Sequence, residues 1–353
     1  MKLPKIANEN KKIRIGVVGL GRIGWQHCIR LHKHPDFLLA AVADREESRC
    51  LEAERDFGCA PFSSFKAMLD GAYLDAVVIA SPTHLHREMA LLAFSKGLHV
   101  FLEKPMASSL KEAEAIYKAS KKSGCVLTVY QPHRAAAYFI QLKKIIASGK
   151  LGDVYHYRRG NFKFVRRDDW QTLLKFGGGM LFNFGAHAVD QLLNLTGSNI
   201  KRYFCDLRLV AALGDAEDVI KLVYETKDGV IGELDVNQAS VTNPYEFEVY
   251  GTHGTAFLKN GCWELRTFSP RAMKKKKLNT SLAVTGRKYP SETVKVKEEF
   301  IKIDRKNDVD VYADFAGAVR GKHPPFVKPE ETLTVMRFLD NCRSTGGLQK
   351  THI

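Results

Sequence analysis

Six residues constrain this chain more than any others: Gly19-Leu20-Gly21-Arg22-Ile23-Gly24 spell G-x-G-x-x-G. They lie between a short apolar run, Lys12–Val18, and a helical pattern from about Arg22 to His34. Alone the pattern is weak; between a buried strand and a helix it is a dinucleotide fingerprint. Gly19 permits the tight turn, Gly21 lets backbone approach a pyrophosphate, and Gly24 lets helix and strand pack closely, with Arg22 and Ile23 opening the helix toward the phosphates. Asp44 ends the next apolar run, Leu38–Asp44, 20 residues beyond Gly24. A carboxylate there takes the adenosine ribose hydroxyls and repels a 2′-phosphate, which favours NAD. Arg45 could instead embrace that phosphate, so NADP is the alternative. The competing reading, a glycine turn with Asp44 as a helix cap, does not account for the joint spacing.

The first half continues in the same rhythm. Apolar runs at Ala76–Ser81, His99–Glu103 and Val126–Tyr130 alternate with helical patterns that include Thr83–Lys96 and Leu110–Ser123. Repeated βα units with right-handed crossovers predict a doubly wound parallel sheet. After about Leu151 the period changes. Val154–Phe164, Lys201–Val210, Asp218–Thr226, Val230–Gln238, Phe247–Gly251 and Thr255–Lys259 read as strands, with Asp228-Gly229 as a hairpin turn. One helix, about Gly179–Leu195, interrupts them, and helices over Asp308–Arg320 and Pro329–Ser344 close the chain. The expected class is therefore α/β: an N-terminal Rossmann domain (1–134), then an α+β domain (135–353) with a large, mostly antiparallel open sheet. The closing helices (308–353) are expected to pack back on the first domain.

Charge has to be placed before it is interpreted. The chain of 353 residues has 54 Lys+Arg against 39 Asp+Glu, a formal +15. Residues 1–150 hold +9 of this and residues 268–303 hold +7, densest at Lys274–Lys277. A short lysine run is ordinarily solvated surface, and the half with the larger surplus is the half expected to bind an anionic dinucleotide. Nucleic acid is not needed to explain the charge. Seven cysteines (28, 50, 59, 125, 205, 262 and 342) include no C-x-x-C pair, so neither a zinc ribbon nor a redox dithiol is written, and no metal is expected. Scattered thiols, no signal-like apolar N-terminus and no run of roughly 20 apolar residues predict a cytoplasmic protein without a membrane span.

Two further groups carry chemistry. Glu103-Lys104-Pro105 closes a strand at the sheet edge where open α/β folds bind ligands. A buried lysine with a lowered pKa can stabilise a developing alkoxide and move its proton; the plain alternative is a surface lysine at a strand end. Asn183, His187 and Asp190, spaced four and three apart, share a helix face after the turn Gly177-Gly178-Gly179. His187 suits a general base or a hydroxyl holder, and Asp190 suits the orientation of a neighbour. The glycine run is expected to let backbone approach substrate and nicotinamide. Trp170, following Arg166, Arg167, Asp168 and Asp169, is read as a wall of a sugar pocket with the flanking charges on hydroxyls, or else as a core or interface residue.

The fingerprint, Ser81-Pro82-Thr83 with His86, Glu103-Lys104-Pro105, and the glycine run with His187 and Asp190 together resemble, in order, the glucose–fructose oxidoreductase / inositol dehydrogenase / MocA-like (Gfo/Idh/MocA) family. Tyr130–Arg134, Gly152–Tyr157 and His187–Gln191 look closest to its polyol and scyllo-inositol dehydrogenase-like branch. The resemblance implies hydride transfer between NAD(P) and a hydroxyl carbon of a sugar, inositol or related polyol. It places Ser81, Thr83, His86, Glu103 and Lys104 at the cofactor and Lys104 between nicotinamide and substrate. It puts Tyr130, His133, Trp170, Asn183 and His187 at the substrate, with Lys104, His187 and Asn183 as the catalytic set. It also implies a homodimer or homotetramer through the open C-terminal sheet. Two departures stand out. Asn183 occupies a position commonly Asp, and an amide cannot take a proton at neutral pH. His133 and Pro132 interrupt a segment that often carries consecutive arginines. They keep open a catalytically weakened dinucleotide-binding regulator, and the resemblance itself keeps open an NAD-dependent glycoside-cleaving enzyme of the same family.

Overall fold

The computed structural model of the protein describes residues 11–351 apart from 274, 279, 281, 283–285 and 287–291. The first domain runs β1 (Ile13–Val18), α1 (Arg22–Lys33), β2 (Phe37–Ala43), α2 (Glu47–Phe57), β3 (Ala60–Phe62), α3 (Phe65–Gly71), β4 (Ala76–Ile79), α4 (His86–Ser95), β5 (His99–Leu102), α5 (Leu110–Ser123) and β6 (Leu127–Val129). The strands are apolar and buried on both faces, as a parallel sheet covered by helices requires. They pair in parallel in the order β3-β2-β1-β4-β5-β6. That order reverses between β1 and β4, so the crevice at their C-terminal ends is the place for a ligand. Three elements of this domain have no counterpart in the sequence reading, α2, β3 and α3; of these, Ala60-Pro61-Phe62 is too short to show a period.

The second domain begins with α6 (Pro132–Ala135) and α7 (Ala137–Ala147), then β7 (Val154–Phe162), α8 (Met180–Thr196), β8 (Ile200–Leu209), β9 (Val219–Thr226), β10 (Ile231–Asn237), β11 (Phe247–Gly251), β12 (Gly254–Lys259), β13 (Cys262–Thr267), β14 (Lys297–Lys302), α9 (Val311–Val319), α10 (Pro329–Thr345) and β15 (Leu348–Lys350). Its nine-stranded sheet has the order β14-β13-β12-β11-β7-β10-β9-β8-β15. All pairs are antiparallel except β7 with β10 and β8 with β15. β9 and β10 turn at Asp228-Gly229, with Gly229 at φ +82°. The alternating burial of β9 and β10 turns one face of the sheet onto α8 and leaves the other outside.

The closing helices join the two domains. In α9, Tyr312, Phe315, Ala316 and Val319 share a buried core with Ile13, Ile15, Phe37 and Phe101 of the first sheet. In α10, Val335, Met336 and Leu339 share a second core with Ile116 of α5 and Leu181 and Ala188 of α8. Of the lysine run, Lys274 lies outside the described residues, while Lys275–Lys277 are exposed and Lys276 pairs with Glu292. No helix among the described residues is long and apolar enough to cross a membrane.

Candidate active site

The β1–α1 turn is built by steric necessity. Gly19 has φ +88°, and a Cβ there would lie 2.7 Å from the Ala80 carbonyl carbon and the Ser81 nitrogen, at the end of β4. A Cβ on Gly24 would lie 1.7 Å from the Gly19 carbonyl oxygen, so only glycine lets α1 pack here. Gly21, by contrast, faces open space. It caps α1 with no side-chain hydrogen bond and no acidic residue in the first turn, which leaves the helix N–H groups for an anion. Asp44 accepts hydrogen bonds from the N–H groups of Leu20 (2.6 Å) and Glu46 (2.9 Å), each oxygen keeping a free lone pair. Its cationic partner is Arg49, 3.7 Å away, whereas Arg45 is exposed. The Ser81 hydroxyl oxygen is buried beside the turn with no partner. An open glycine, bare helix N–H groups, a fixed carboxylate and an orphaned hydroxyl all fit a dinucleotide.

A cleft of about 510 Å³ runs from this turn to the second domain. Arg22, Ile23, Ser81, Thr83, Glu103, Lys104, Tyr130, Trp170, Asn183 and His187, all expected at the site, line it. Glu103 accepts from Lys104 N–H (3.0 Å) and holds the His27 ring (2.9 Å), whose other nitrogen meets the Tyr312 hydroxyl of α9 at 2.7 Å. Lys104 Nζ donates to Asn183 Oδ1 (2.8 Å) and to the Asn183 carbonyl (3.3 Å). Burial pushes the Lys104 ammonium below its ordinary pKa; Glu103 opposes the shift, and Arg167 and Arg22 add to it. Asn183 also donates to Gln171 Oε1 (3.4 Å), which accepts from Arg167 too.

His187 is buried on α8, its Nδ1 2.8 Å from Gln131 Oε1. With the amide oxygen accepting from Nδ1–H, Nε2 carries the lone pair. Burial holds the ring well below its ordinary pKa, with Lys104, His133 and Arg159 adding to the shift. The ring is therefore held in its neutral form.

Five expectations require correction or refinement. His86 does not line the cleft: its ring bridges the Ser81 (2.9 Å) and Pro105 (3.0 Å) carbonyls, so it fixes two cleft turns from behind. His133 stacks on His187, ring centres 4.4 Å apart, and faces the Tyr138 hydroxyl and another pocket; it packs against His187 rather than lining the cleft. The glycine run approaches protein. A Cβ on Gly177, Gly178 or Gly179 would meet Ser108, the Gln171 backbone or the Glu217 carboxylate. Glu217 in turn accepts from the Leu181 N–H (3.0 Å) at the start of α8. Asp190 makes a buried two-point pair with Arg134, tying α6 to α8. Trp170 is 40% exposed on the cleft wall, which excludes a core role.

Residues not foreseen at the site include Gln131, which holds His187 from behind, and Asn161, Lys163 and Gln238, which line the cleft at the ends of β7 and β10. The signal for Asn161 and Lys163 is the two-residue alternation through Arg159, Asn161, Lys163 and Val165, readable only once the inward face is known.

A doubly wound sheet with this turn, opening on a buried lysine and a neutral histidine, defines a nicotinamide-dependent oxidoreductase. Residues 13–131 match the model for the oxidoreductase family with the NAD-binding Rossmann fold, GFO_IDH_MocA, and residues 139–257 match a GFO/IDH/MocA C-terminal domain. The chain belongs to the Gfo/Idh/MocA family. It is 27% identical to myo-inositol 2-dehydrogenase of Thermotoga maritima over 257 residues, covering 70% of this chain and 75% of that protein. It is 28% identical to the NAD(+)-dependent scyllo-inositol 2-dehydrogenase of Bacillus subtilis over 258 residues, covering 70% and 74%. Its fold is that of an NAD-binding protein from Listeria innocua, with a TM-score of 0.79, 23% identity and 95% of each chain covered.

Proposed function

We propose that this protein oxidises a secondary hydroxyl of a sugar, inositol or related polyol, reversibly, with NAD preferred over NADP. The observation that carries the reading is Lys104 and His187 on one cleft at the fingerprint turn. NAD bound along that turn supplies the hydride acceptor. Gly21 and the α1 N-terminus hold the pyrophosphate, and Asp44 holds the ribose hydroxyls and rejects a 2′-phosphate. Lys104 Nζ steadies the substrate oxygen as charge develops on it, and Asn183 fixes that ammonium by hydrogen bonding alone. His187 Nε2 takes the hydroxyl proton, its tautomer set by Gln131. Trp170 covers the sugar's C–H face.

The test is NAD+ and NADP+ reduction across a sugar and polyol panel. Lys104→Ala is expected to lower kcat by about 10²–10³-fold, the usual cost of removing a donor aimed at a developing oxyanion, with NADH affinity held within about threefold. Turnover that survives the substitution overturns the role of Lys104. Glycoside cleavage without net NADH production would favour the lyase-like alternative, and an intact biological effect in Lys104→Ala would favour a regulator.

We also infer a homodimer or homotetramer through the outer face of the nine-stranded sheet. That face exposes Phe204 (61%) and Phe300 (63%) beside cross-strand pairs such as Arg158–Glu248 and Lys221–Asp235. A monomeric mass by light scattering would overturn it. All seven cysteines are free, which fits a reducing compartment and supports a cytoplasmic location.

A further inference from the structure

We infer that the substrate is an anionic sugar, whose carboxylate or phosphoryl group is held by Lys163 and Arg167 on the sheet side of the cleft. The inference rests on the hydride-transfer reading for the word substrate, and on geometry that is independent of it.

β7 and its extension present Arg159, Asn161, Lys163 and Val165 on one face, toward α8 and the cleft. Arg159 is used internally, donating to the carbonyls of Gly160 (2.8 Å) and Glu246 (2.6 Å). Asn161, Lys163 and Val165 line the cleft with Arg167 and Gln238. Gln238 is 1% exposed and its amide nitrogen has no partner; Asn161 Oδ1 is likewise buried and unpaired. A buried amide without a partner is costly, so these groups suit an oxygen and a hydroxyl from outside the chain.

The cations around them are in excess. Arg22, Lys104, Lys163 and Arg167 line the cleft, against one lining carboxylate, Glu103, which is already bound to His27 and the Lys104 N–H. Arg167 has Asp169 at 2.6 Å, and among the described residues Lys163 has no carboxylate partner. Arg22 stands at the dinucleotide turn, which leaves Lys163 and Arg167 for the substrate. A neutral polyol would satisfy Gln238 and Asn161 and leave this positive field uncompensated. An anion satisfies both, because a guanidinium and an ammonium are the groups that pair with carboxylate and phosphate oxygens. It would also relieve the repulsion that Arg167 exerts on Lys104.

The test pairs glucose and myo-inositol with glucuronate, gluconate and glucose 6-phosphate. Turnover is followed with NAD+, and binding to the protein–NADH complex by calorimetry. Wild type is expected to favour at least one acid over its neutral partner by tenfold or more in kcat/KM. The uronate and phosphate arms distinguish the two anions. Lys163→Met with Arg167→Met is expected to raise KM for that acid about 10- to 100-fold, the usual loss for a charge-assisted contact, with NADH affinity unchanged. Raised ionic strength should weaken the acid and spare the neutral sugar. Neutral sugars preferred, or acids indifferent to both substitutions, would overturn the anionic substrate and leave the dehydrogenase reading standing. Acid-selective binding lost in the double variant, without turnover, would support the anion site and overturn the dehydrogenase reading. If the acids neither bind nor react, the inference fails.

Discussion

Lys104 and Asn183 meet as ammonium and amide, 2.8 Å apart, at a position where a carboxylate would make an ion pair. The difference is electrostatic. An amide orients the ammonium without stabilising its charge, so burial and the nearby arginines act on Lys104 with less opposition. Asn183→Asp should therefore raise the Lys104 pKa and move its descending limb of the kcat/KM–pH profile to higher pH, with equal or higher activity below that limb. A large loss at every pH, with NADH affinity unchanged, would mean that the amide serves a different reaction. Gln131 acts through its neighbour. It sets the His187 tautomer, so Gln131→Leu should lower kcat about 10- to 100-fold with KM nearly constant, while Gln131→Glu should raise the His187 pKa, visible as a shifted imidazole resonance by NMR. An unshifted resonance in Gln131→Glu would sink that role.

Elements place these residues through close contacts that sequence patterns only partly reveal. The α1 turn was legible, because three glycines at fixed spacing follow an apolar run and each has a steric reason. Gly24→Ala brings a methyl against the Gly19 carbonyl, so α1 must lift from β1. We expect a loss of at least tenfold in NADH affinity and a lower Tm; a crystal structure with α1 unmoved and affinity intact would refute this. The glycine run before α8 was legible as a turn and not as to its purpose. Its glycines make room for the Gln171 backbone and for Ser108 and Glu217, the last two from residues distant in sequence. Likewise α8 was legible from its period, yet its Asn183–His187–Asp190 face divides: two residues meet the cleft and Asp190 meets Arg134. A helix spaces its side chains; the elements packed around it assign their partners.

At the scale of the molecule, α9 and α10 bind the two domains and the histidines report on that packing. His99 and His133 are held neutral by burial, each at about 4 against an ordinary value near 6.5. The unfolded chain therefore binds more protons than the folded one between roughly pH 6.5 and pH 4, and stability is lost as pH falls through that window. Buried His86 and His187 are shifted in the same direction. Calorimetric Tm should fall from pH 7 to pH 5; His99→Gln, which removes one such group, should flatten that dependence. A Tm independent of pH over this range would contradict the burial of these rings.

Sequence alone determined the dinucleotide half, the change to antiparallel strands, the family resemblance and the lysine at the sheet edge. These are local or evenly spaced patterns, because strand period, glycine spacing and strand-end position are properties of short segments. Tertiary structure decided the rest. It showed Trp170 on the cleft wall, turned His86 and His133 away from the cleft, made Gln131 the partner of His187, and brought Asn161, Lys163 and Gln238 into the cleft opposite Lys104. Those outcomes depend on which face of one element meets which face of another. That is settled by burying the apolar faces of two sheets and three long helices at once, and no short segment carries that information.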